Sequence, residues 1–116
     1  MTPQVITIKE SDTVYKAKDI FTEYPFHHIP VVNDLGKLTG IVSMLDLPSA
    51  VKNGLSDVAS VMTPEPTVLA SDDSIGLAAD IFLANSFHAI PIMENGHLIG
   101  ILTTHDLLRH VFKDQF

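Results

Sequence analysis

The sequence contains no cysteine and no tryptophan, and lysine and arginine together account for only seven of its 116 residues. Without cysteine, neither a disulfide bond nor a thiolate metal site can form. Fourteen acidic residues give a formal net charge of -7, which argues against nucleic acid as a partner. No apolar run approaches the roughly 18 residues of a membrane helix, and no signal peptide is recognisable. We therefore expect a cytoplasmic protein with no membrane partner.

The most informative feature of the sequence is an internal repeat. The tripeptide Met-Thr-Pro opens both copies, and residues 26–30 (FHHIP) are answered by residues 87–91 (FHAIP) at an offset of 61. One residue then drops out, so that residues 40–47 (GIVSMLDL) match residues 100–107 (GILTTHDL). A unit of about sixty residues is too short to bury its apolar face well by itself. The two copies are therefore expected to share a core and to be related by a pseudo-two-fold axis.

Each copy predicts the element order β-α-β-β-α. The first helix is expected to follow the capping residues Ser11 and Asp12 in the first copy, and Asp72, Asp73 and Ser74 in the second. In the second copy its apolar positions recur at helical spacing: Ile75, Ala78, Ala79, Phe82 and Leu83. Two strands joined by a turn and a closing helix follow in each copy. The predicted fold class is α+β, with two β-α-β-β-α units packed as a pseudo-two-fold pair.

The domain organisation follows from the repeat. The first motif is assigned to residues 1–53 and the second to residues 62–116. Between them, residues 54–61 form a connector in which the spacing of Leu55, Val58 and Val61 indicates a packed helical turn.

The repeated motifs resemble those of a known family. Met-Thr-Pro, a helix, His-x-Ile-Pro and then Gly-Ile-x-(Ser/Thr)-x-x-Asp-Leu occur twice, and the chain resembles a tandem pair of cystathionine-β-synthase-type (CBS) motifs over essentially its whole length. The resemblance implies a Bateman module, in which two motifs pack their sheets face to face, leave two clefts and usually form a homodimer. Such modules bind AMP, ADP, ATP or S-adenosylmethionine and pass the signal to a regulated protein domain.

The function expected from this resemblance is regulatory. The chain is predicted to sense an adenine nucleotide or related adenosyl ligand in signal transduction, with no catalytic residue and no catalytic cofactor. An enzyme is disfavoured because no nucleophile-base pair and no glycine-rich phosphate loop is present. The alternative is a ligand-free module for dimerisation or protein interaction, because both sheets would form without a nucleotide.

Two polar motifs carry the predicted chemistry. Taken alone, Ser43-x-x-Asp46 and Thr103-x-x-Asp106 are typical of a helix capping box. The resemblance implies instead that each aspartate accepts hydrogen bonds from both ribose hydroxyls, a task for which a carboxylate is suited. Both interpretations can hold at once, because a residue that caps a helix at a cleft already faces the ligand.

The histidines before each Ile-Pro are the candidate phosphate contacts. His27 and His88 occupy positions where relatives often place a basic side chain, although both could be ordinary surface histidines. A metal site that includes His28 is not expected, because no carboxylates stand at a fitting spacing. The scarcity of lysine and arginine favours a monophosphate or nucleoside-like ligand over ATP.

The resemblance further implies that each cleft combines the early loop of one motif with the box of the other. The preferred cleft would contain Thr7, His27, His28, Ile29, Pro30, Thr103 and Asp106. The second would contain Thr67, Val68, His88, Ala89, Pro91, Ser43 and Asp46. The second cleft is expected to be weaker, because Val68 replaces the threonine and Pro48 should delay the helix after Ser43.

Overall fold

The computed structural model describes residues 6–112 of the chain, so the opening Met-Thr-Pro and residues 113–116 lie outside the described residues. The chain divides into two compact units, Ile6–Pro66 and a second unit that takes up the chain from Thr67 onward. We refer to them as the first unit and the second unit. Within residues 6–112, no helix is long and apolar enough to cross a membrane.

The first unit contains four strands and three short helices. Their bounds are β1 Ile8–Lys9, α1 Val14–Glu23, β2 His28–Val32, β3 Leu38–Ser43, a 3-10 turn Met44–Asp46, α2 Leu47–Lys52, α3 Val58–Val61 and β4 Thr63–Pro64. The second unit continues with β5 Leu69–Ala70, α4 Ile75–Ala84, β6 Ala89–Glu94, β7 His97–Thr103 and α5 Thr104–Phe112. The α+β class and the repeated order β-α-β-β-α are confirmed.

The two sheets share one pattern of pairing. In each, a short first strand runs parallel to the second, and the second and third form an antiparallel hairpin. The residue that drops out of the repeat falls in the hairpin turn. In the second unit the turn is reduced to Asn95 and Gly96, whose φ angles of 51° and 79° are the left-handed values that such tight turns require.

The first sheet has an additional edge strand, β4, which is the Met-Thr-Pro segment of the second copy. Pro64 pairs with Gly40, and Thr63 pairs with Ile41. A Cβ atom on Gly40 would lie 2.5 Å from the Sδ atom of Met62 and 3.0 Å from the Thr63 carbonyl, so only glycine lets β4 approach this closely. The first compact unit therefore extends to Pro66, past the point where the sequence repeat begins again.

The first helix of each unit begins with the same two devices. An aspartate side chain accepts a backbone N–H from the preceding strand. The Lys9 N–H donates to Asp12 Oδ2 at 2.9 Å, and the Ala70 N–H donates to Asp73 Oδ2 at 2.7 Å. The next residue is the N-cap: Thr13 accepts the Lys16 N–H, and its counterpart Ser74 accepts the Leu77 N–H. In the first copy the cap is therefore one residue later than the Ser11-Asp12 expected from the sequence.

Each unit has its own cluster of buried apolar residues. In the first unit the cluster consists of Ile8, Val14, Ala17, Phe21, Ile29, Val31, Val42, Leu47, Ala50 and Val58. In the second it consists of Leu69, Ala78, Phe82, Ile90 and Ile92. The first cluster includes Val58 from the connector, which is fully buried. The connector thus packs as part of the first unit.

Candidate ligand-binding site

The candidate polar residues gather at one end of each hairpin, where its first strand begins and its second strand ends. In the first unit we call this place the first corner, formed by His27, His28, Ser43 and Asp46. His28 pairs with Ser43 across the strands, and the Met44 N–H donates to the His27 carbonyl at 2.9 Å. Directly opposite residues present their side chains on the same face of a sheet. The corner therefore places the imidazole of His28 beside the hydroxyl of Ser43.

The second corner is built in the same way from His88, Ala89, Thr103 and Asp106. Ala89 pairs with Thr103, and the Thr104 N–H donates to the His88 carbonyl at 3.0 Å. Both His27 and His88 are exposed, but the position of the half-buried His28 is occupied here by the buried Ala89. At the start of the hairpin, the first corner thus has two histidines and the second has one.

A reciprocal capping box closes each corner. The Ser43 N–H donates to Asp46 Oδ2 at 3.0 Å, and the Ser43 hydroxyl accepts the Leu45 N–H at 3.3 Å. The Thr103 N–H donates to Asp106 Oδ2 at 3.1 Å, while Thr103 Oγ1 accepts the Asp106 N–H at 3.1 Å. The capping interpretation is therefore confirmed in both copies. A carboxylate has about four lone-pair sites, so capping and ligand binding are compatible.

Asp106 is held in its ionised form. Partial burial raises the pKa of this carboxyl, but the hydrogen bonds from Thr103 and the positive charge of Arg109 lower it by more, so the pKa lies below its ordinary value. At neutral pH the group is an acceptor only, which suits it to bind hydroxyl groups.

The helices that follow the boxes differ. After Ser43 the chain makes a single 3-10 turn, and α2 then spans only six residues with Pro48 in its first turn. After Thr103, α5 begins at once and runs for nine residues. The late helix start expected from Pro48 is present. In the described residues, the second corner lies at the head of the longer helix, whose dipole is more favourable to a nearby negative charge.

The remaining candidate residues fall into two groups. Thr7, Thr67 and Val68 are exposed and precede the first strand of their unit. Four others are buried in the sheets: Ile29, Pro30, Ala89 and Pro91. Because these side chains are buried, any contact that the four residues make with a ligand would come mainly from backbone groups.

The structure brings the candidate residues together by unit. His27 and His28 lie with Ser43 and Asp46, whereas each cleft inferred from the resemblance takes its histidine and its box from different copies. That each cleft combines the histidine of one copy with the capping box of the other stays a prediction. The proximity of His28 to Ser43 was missed, although the register of the two predicted strands could have indicated it.

No metal centre is evident in the part of the chain that the structure describes. Between residues 6 and 112, no three histidine or acidic side chains lie close enough to hold an ion.

An apolar groove of about 430 Å³ lies between α1 and α2 on the first unit. It is lined by Val14, Tyr15, Lys18, Phe21, Thr22, Met44, Leu47, Pro48 and Val51. Two large apolar side chains at this groove are open to solvent, since Tyr15 is 61% and Val51 49% exposed. No sequence pattern identifies these residues as exposed, because helical periodicity does not separate an exposed apolar residue from a buried one.

Comparison with known proteins places these features in a family. The family profile of the CBS domain matches residues 1–53 and 57–113. Among curated proteins, the homoserine O-acetyltransferases of Methanocorpusculum labreanum and Methanococcoides burtonii are 30% and 34% identical over 108 and 110 residues. These matches cover 92% and 94% of this chain but only 22% of each relative, so the chain spans less than a quarter of their length.

Solved structures match the fold along the whole chain. CBSX2, a CBS-pair protein of Arabidopsis thaliana, has been solved in complex with AMP. That structure is 28% identical to this chain, with a TM-score of 0.87, and the match covers 100% of this chain and 95% of CBSX2.

Proposed function

Because the chain belongs to the CBS domain family, we propose that it is a regulatory module that binds an adenine nucleotide or related adenosyl ligand and is not an enzyme. The observation that carries this proposal is the half-buried Asp106 carboxylate, fixed by the Thr103 box at the head of α5. The AMP complex of CBSX2, matched over the whole chain, supports the choice of ligand class.

Asp106 is suited to recognise a ribose. Its Oδ2 atom is oriented by the Thr103 N–H, and the low pKa keeps both oxygens as acceptors, so a vicinal diol can donate two hydrogen bonds to one carboxylate. The amide groups at the start of α5 favour a nearby negative charge, such as a phosphate.

We assign the stronger site to Asp106 and Thr103, combined with Thr7, His27, His28, Ile29 and Pro30. The site with Asp46 and Ser43, combined with Thr67, Val68, His88, Ala89 and Pro91, should be weaker. The six-residue α2 behind Asp46 presents little helix dipole, and the exposed Val68 offers no hydroxyl. A monophosphate such as AMP, or a nucleoside-like ligand such as S-adenosylmethionine, is favoured over ATP, because a chain with seven cationic side chains offers few partners for further phosphates.

The second candidate function is protein interaction without a ligand. It is favoured by the groove between α1 and α2, whose exposed Tyr15 and Val51 would gain from burial against another polypeptide. We also propose that the protein is a cytoplasmic homodimer whose interface is formed by such apolar helix faces. A regulated protein domain, fused or separate, would receive the signal, as the short span of this chain within its relatives suggests.

Calorimetric titration with AMP tests the leading proposal. Asp106→Asn should weaken binding by about 2 kcal/mol, roughly 30-fold, because a ribose hydroxyl loses its charged acceptor. Asp46→Asn is the matched control, since it changes the same box in the other unit and should change affinity for the first AMP by less than about threefold. Equal affinities of wild type and Asp106→Asn would contradict the assignment. If wild type does not bind AMP, ADP, ATP or S-adenosylmethionine, the interaction module is the better description.

Adenosine in place of AMP tests the phosphate contact. His27→Ala should reduce the preference for AMP over adenosine and leave adenosine affinity unchanged, because the exposed His27 side chain would meet only the phosphate. His97→Ala is the control, because His97 is an exposed histidine at the start of β7, at the opposite end of the second hairpin from His88. An unchanged preference in His27→Ala would remove His27 from the site.

A further inference from the structure

Helix α4 of the second unit is apolar on almost every side. Among its ten residues, the only polar side chain is that of Asp80. Leu83 is 86% exposed, and Leu108 on the neighbouring α5 is 56% exposed. A helix that is apolar all round is normally buried, so we expect this surface to pack against another one. We call it the leucine face, and it consists of Gly76, Ala79, Leu83 and Leu108.

The exposure of the two leucines does not depend on what packs against the start of α4. In the first unit the connector is in place as a covering turn, with Val58 fully buried. Thr22, the counterpart of Leu83 in that unit, is nevertheless exposed. So is Pro48, the counterpart of Leu108. Both positions therefore lie outside the area that such a turn covers.

The equivalent face of the first unit is the groove between α1 and α2, of about 430 Å³. The repeat aligns the four residues of the leucine face with four residues that line this groove: Tyr15, Lys18, Thr22 and Pro48. The second unit has leucines at the positions of Thr22 and Pro48, and glycine and alanine at those of Tyr15 and Lys18. One face therefore has a depression where the other carries exposed leucine side chains.

The charges on the two faces favour contact between unlike faces. Asp80 is exposed and is the only charged residue of α4. Lys18 is exposed and is the charged residue in the lining of the groove. Two leucine faces in contact would bring two Asp80 carboxylates together, while the charge of Arg109 on α5 already acts on Asp106. A leucine face seated in the groove instead brings Asp80 near a lysine.

We propose that two copies of the chain pair head to tail, with Leu83 and Leu108 of one copy seated in the groove between α1 and α2 of the other. A two-fold axis repeats the contact, so each dimer contains it twice. The inference rests on the homodimer proposed above and adds which unit faces which. Contact between like units would leave the grooves unfilled, whereas the head-to-tail contact buries both leucines and fills both grooves.

Cross-linking of single cysteines tests the arrangement, because the chain contains no cysteine of its own. Chains carrying Tyr15→Cys and Leu83→Cys, one of them with an affinity tag, are mixed, allowed to exchange subunits and treated with a short bismaleimide. Head-to-tail pairing should give at least about tenfold more of the mixed covalent dimer than of either self-linked dimer. Leu35→Cys is the control, since Leu35 is 81% exposed in the first hairpin turn and should link to neither.

Sedimentation equilibrium tests the contribution of the leucine face. Leu83→Ser should raise the dissociation constant of the dimer at least about 30-fold, because the buried leucine occurs twice in the contact. The matched control Leu35→Ser should leave the dissociation constant unchanged. Titration of the Leu83→Ser chain with AMP reports separately on the ligand site, which does not include Leu83.

Four outcomes would overturn the head-to-tail dimer. Self-linked dimers as the main product would show that like units face each other. Equal yields with Leu35→Cys would show that the links arise from random collision. A mass larger than two chains would show that the contact does not close about a two-fold axis. A mass of one chain at all concentrations would also end the homodimer proposal, whereas the Asp106 site would still be decided by the AMP titration.

Discussion

The two units share one motif and one order of elements, yet they differ in what completes them. The first unit gains a fourth strand and a covering turn from residues that lie after its own β-α-β-β-α elements. The second unit, in its described part, has an uncovered face but a longer and unbroken final helix. Within residues 6–112, the two copies of the repeat therefore differ in what packs against them and in the helix that follows each capping box.

The largest expected difference concerns the covering turn. Val58→Ala removes two methyl groups from a fully buried site, and we expect it to lower the free energy of unfolding by about 2 kcal/mol. Ile75→Ala, on the equivalent but exposed face of the second unit, should cost less than about 1 kcal/mol. Urea denaturation of both variants measures the difference. Similar losses would mean that the Ile75 side chain is covered in solution.

The edge strand provides a second test. Gly40→Ala places a Cβ atom against Met62 and the Thr63 carbonyl, so β4 must move or Met62 must change its conformation. We expect a loss of about 1–2 kcal/mol, which thermal unfolding can detect. Gly76→Ala is the control: its Cβ would meet only Ser74 Oγ, at 3.8 Å, and should stabilise α4 by up to about 1 kcal/mol. If both variants were stabilised, β4 would not be held closely against β3.

The capping box of the second unit should be visible in acid. The pKa of Asp106 is lowered from its ordinary value of 3.8 in the folded state, so its stabilising contribution is complete above that value and is lost as pH falls through the lower folded value. Asp106→Asn should cost up to about 1 kcal/mol at pH 7 and show a smaller further loss below about pH 4. Urea denaturation between neutral pH and about pH 2.5 tests this. Parallel pH profiles for wild type and variant would contradict it.

Asp12 extends the test of acid stability to the first unit. The backbone hydrogen bond from Lys9, aided by Lys16, lowers its pKa against the opposing effect of burial. Among residues 6–112, Asp12 and Asp106 share no hydrogen-bond partner, so the losses of unfolding free energy in the Asp12→Asn/Asp106→Asn double variant should add within about 0.5 kcal/mol.

The smallest effect should follow a change of the late helix start. Pro48→Leu introduces the residue that the second copy has at this position, and it should let a regular helix begin nearer Met44. Proline is tolerated in a first helical turn, so stability should change by less than about 1 kcal/mol. Backbone chemical shifts of Met44, Leu45 and Asp46 would report the longer helix. Unchanged shifts would mean that Pro48 does not cause the 3-10 turn.

The parts of the fold that could be predicted are those with a local signal. The spacing of Ile75, Ala78 and Phe82 predicted α4, and Ser43 with Asp46 predicted a capping box that the structure contains. The position of the cap at Thr13 was missed by one residue, because Asp12 is an equally good capping residue and only the three-dimensional turn shows that it bonds to Lys9.

The parts of the fold and of the site that could not be predicted depend on contacts between residues distant in sequence. Ile41 lies in a predicted strand, but β4 has only two residues and no strand-like pattern, so no periodicity indicates the pairing of Thr63 with Ile41. Nor does the sequence show that the connector covers the first unit, since Val58 alone does not specify the surface on which it packs. In the candidate site, residue types could be identified from the repeat, whereas their grouping depends on strand register and on how the copies meet.

The position of β4 bears on how the chain can be divided. A gene duplication would set the ancestral boundary at the repeated Met-Thr-Pro, but the first compact unit includes that tripeptide as its edge strand. The boundary of the repeated segment and the boundary of the compact unit therefore lie a few residues apart. A fragment that stops at the end of the first repeat would leave the backbone of β3 unpaired along Gly40 and Ile41, a site prone to aggregation. Fragments intended for separate study should be cut after Pro66.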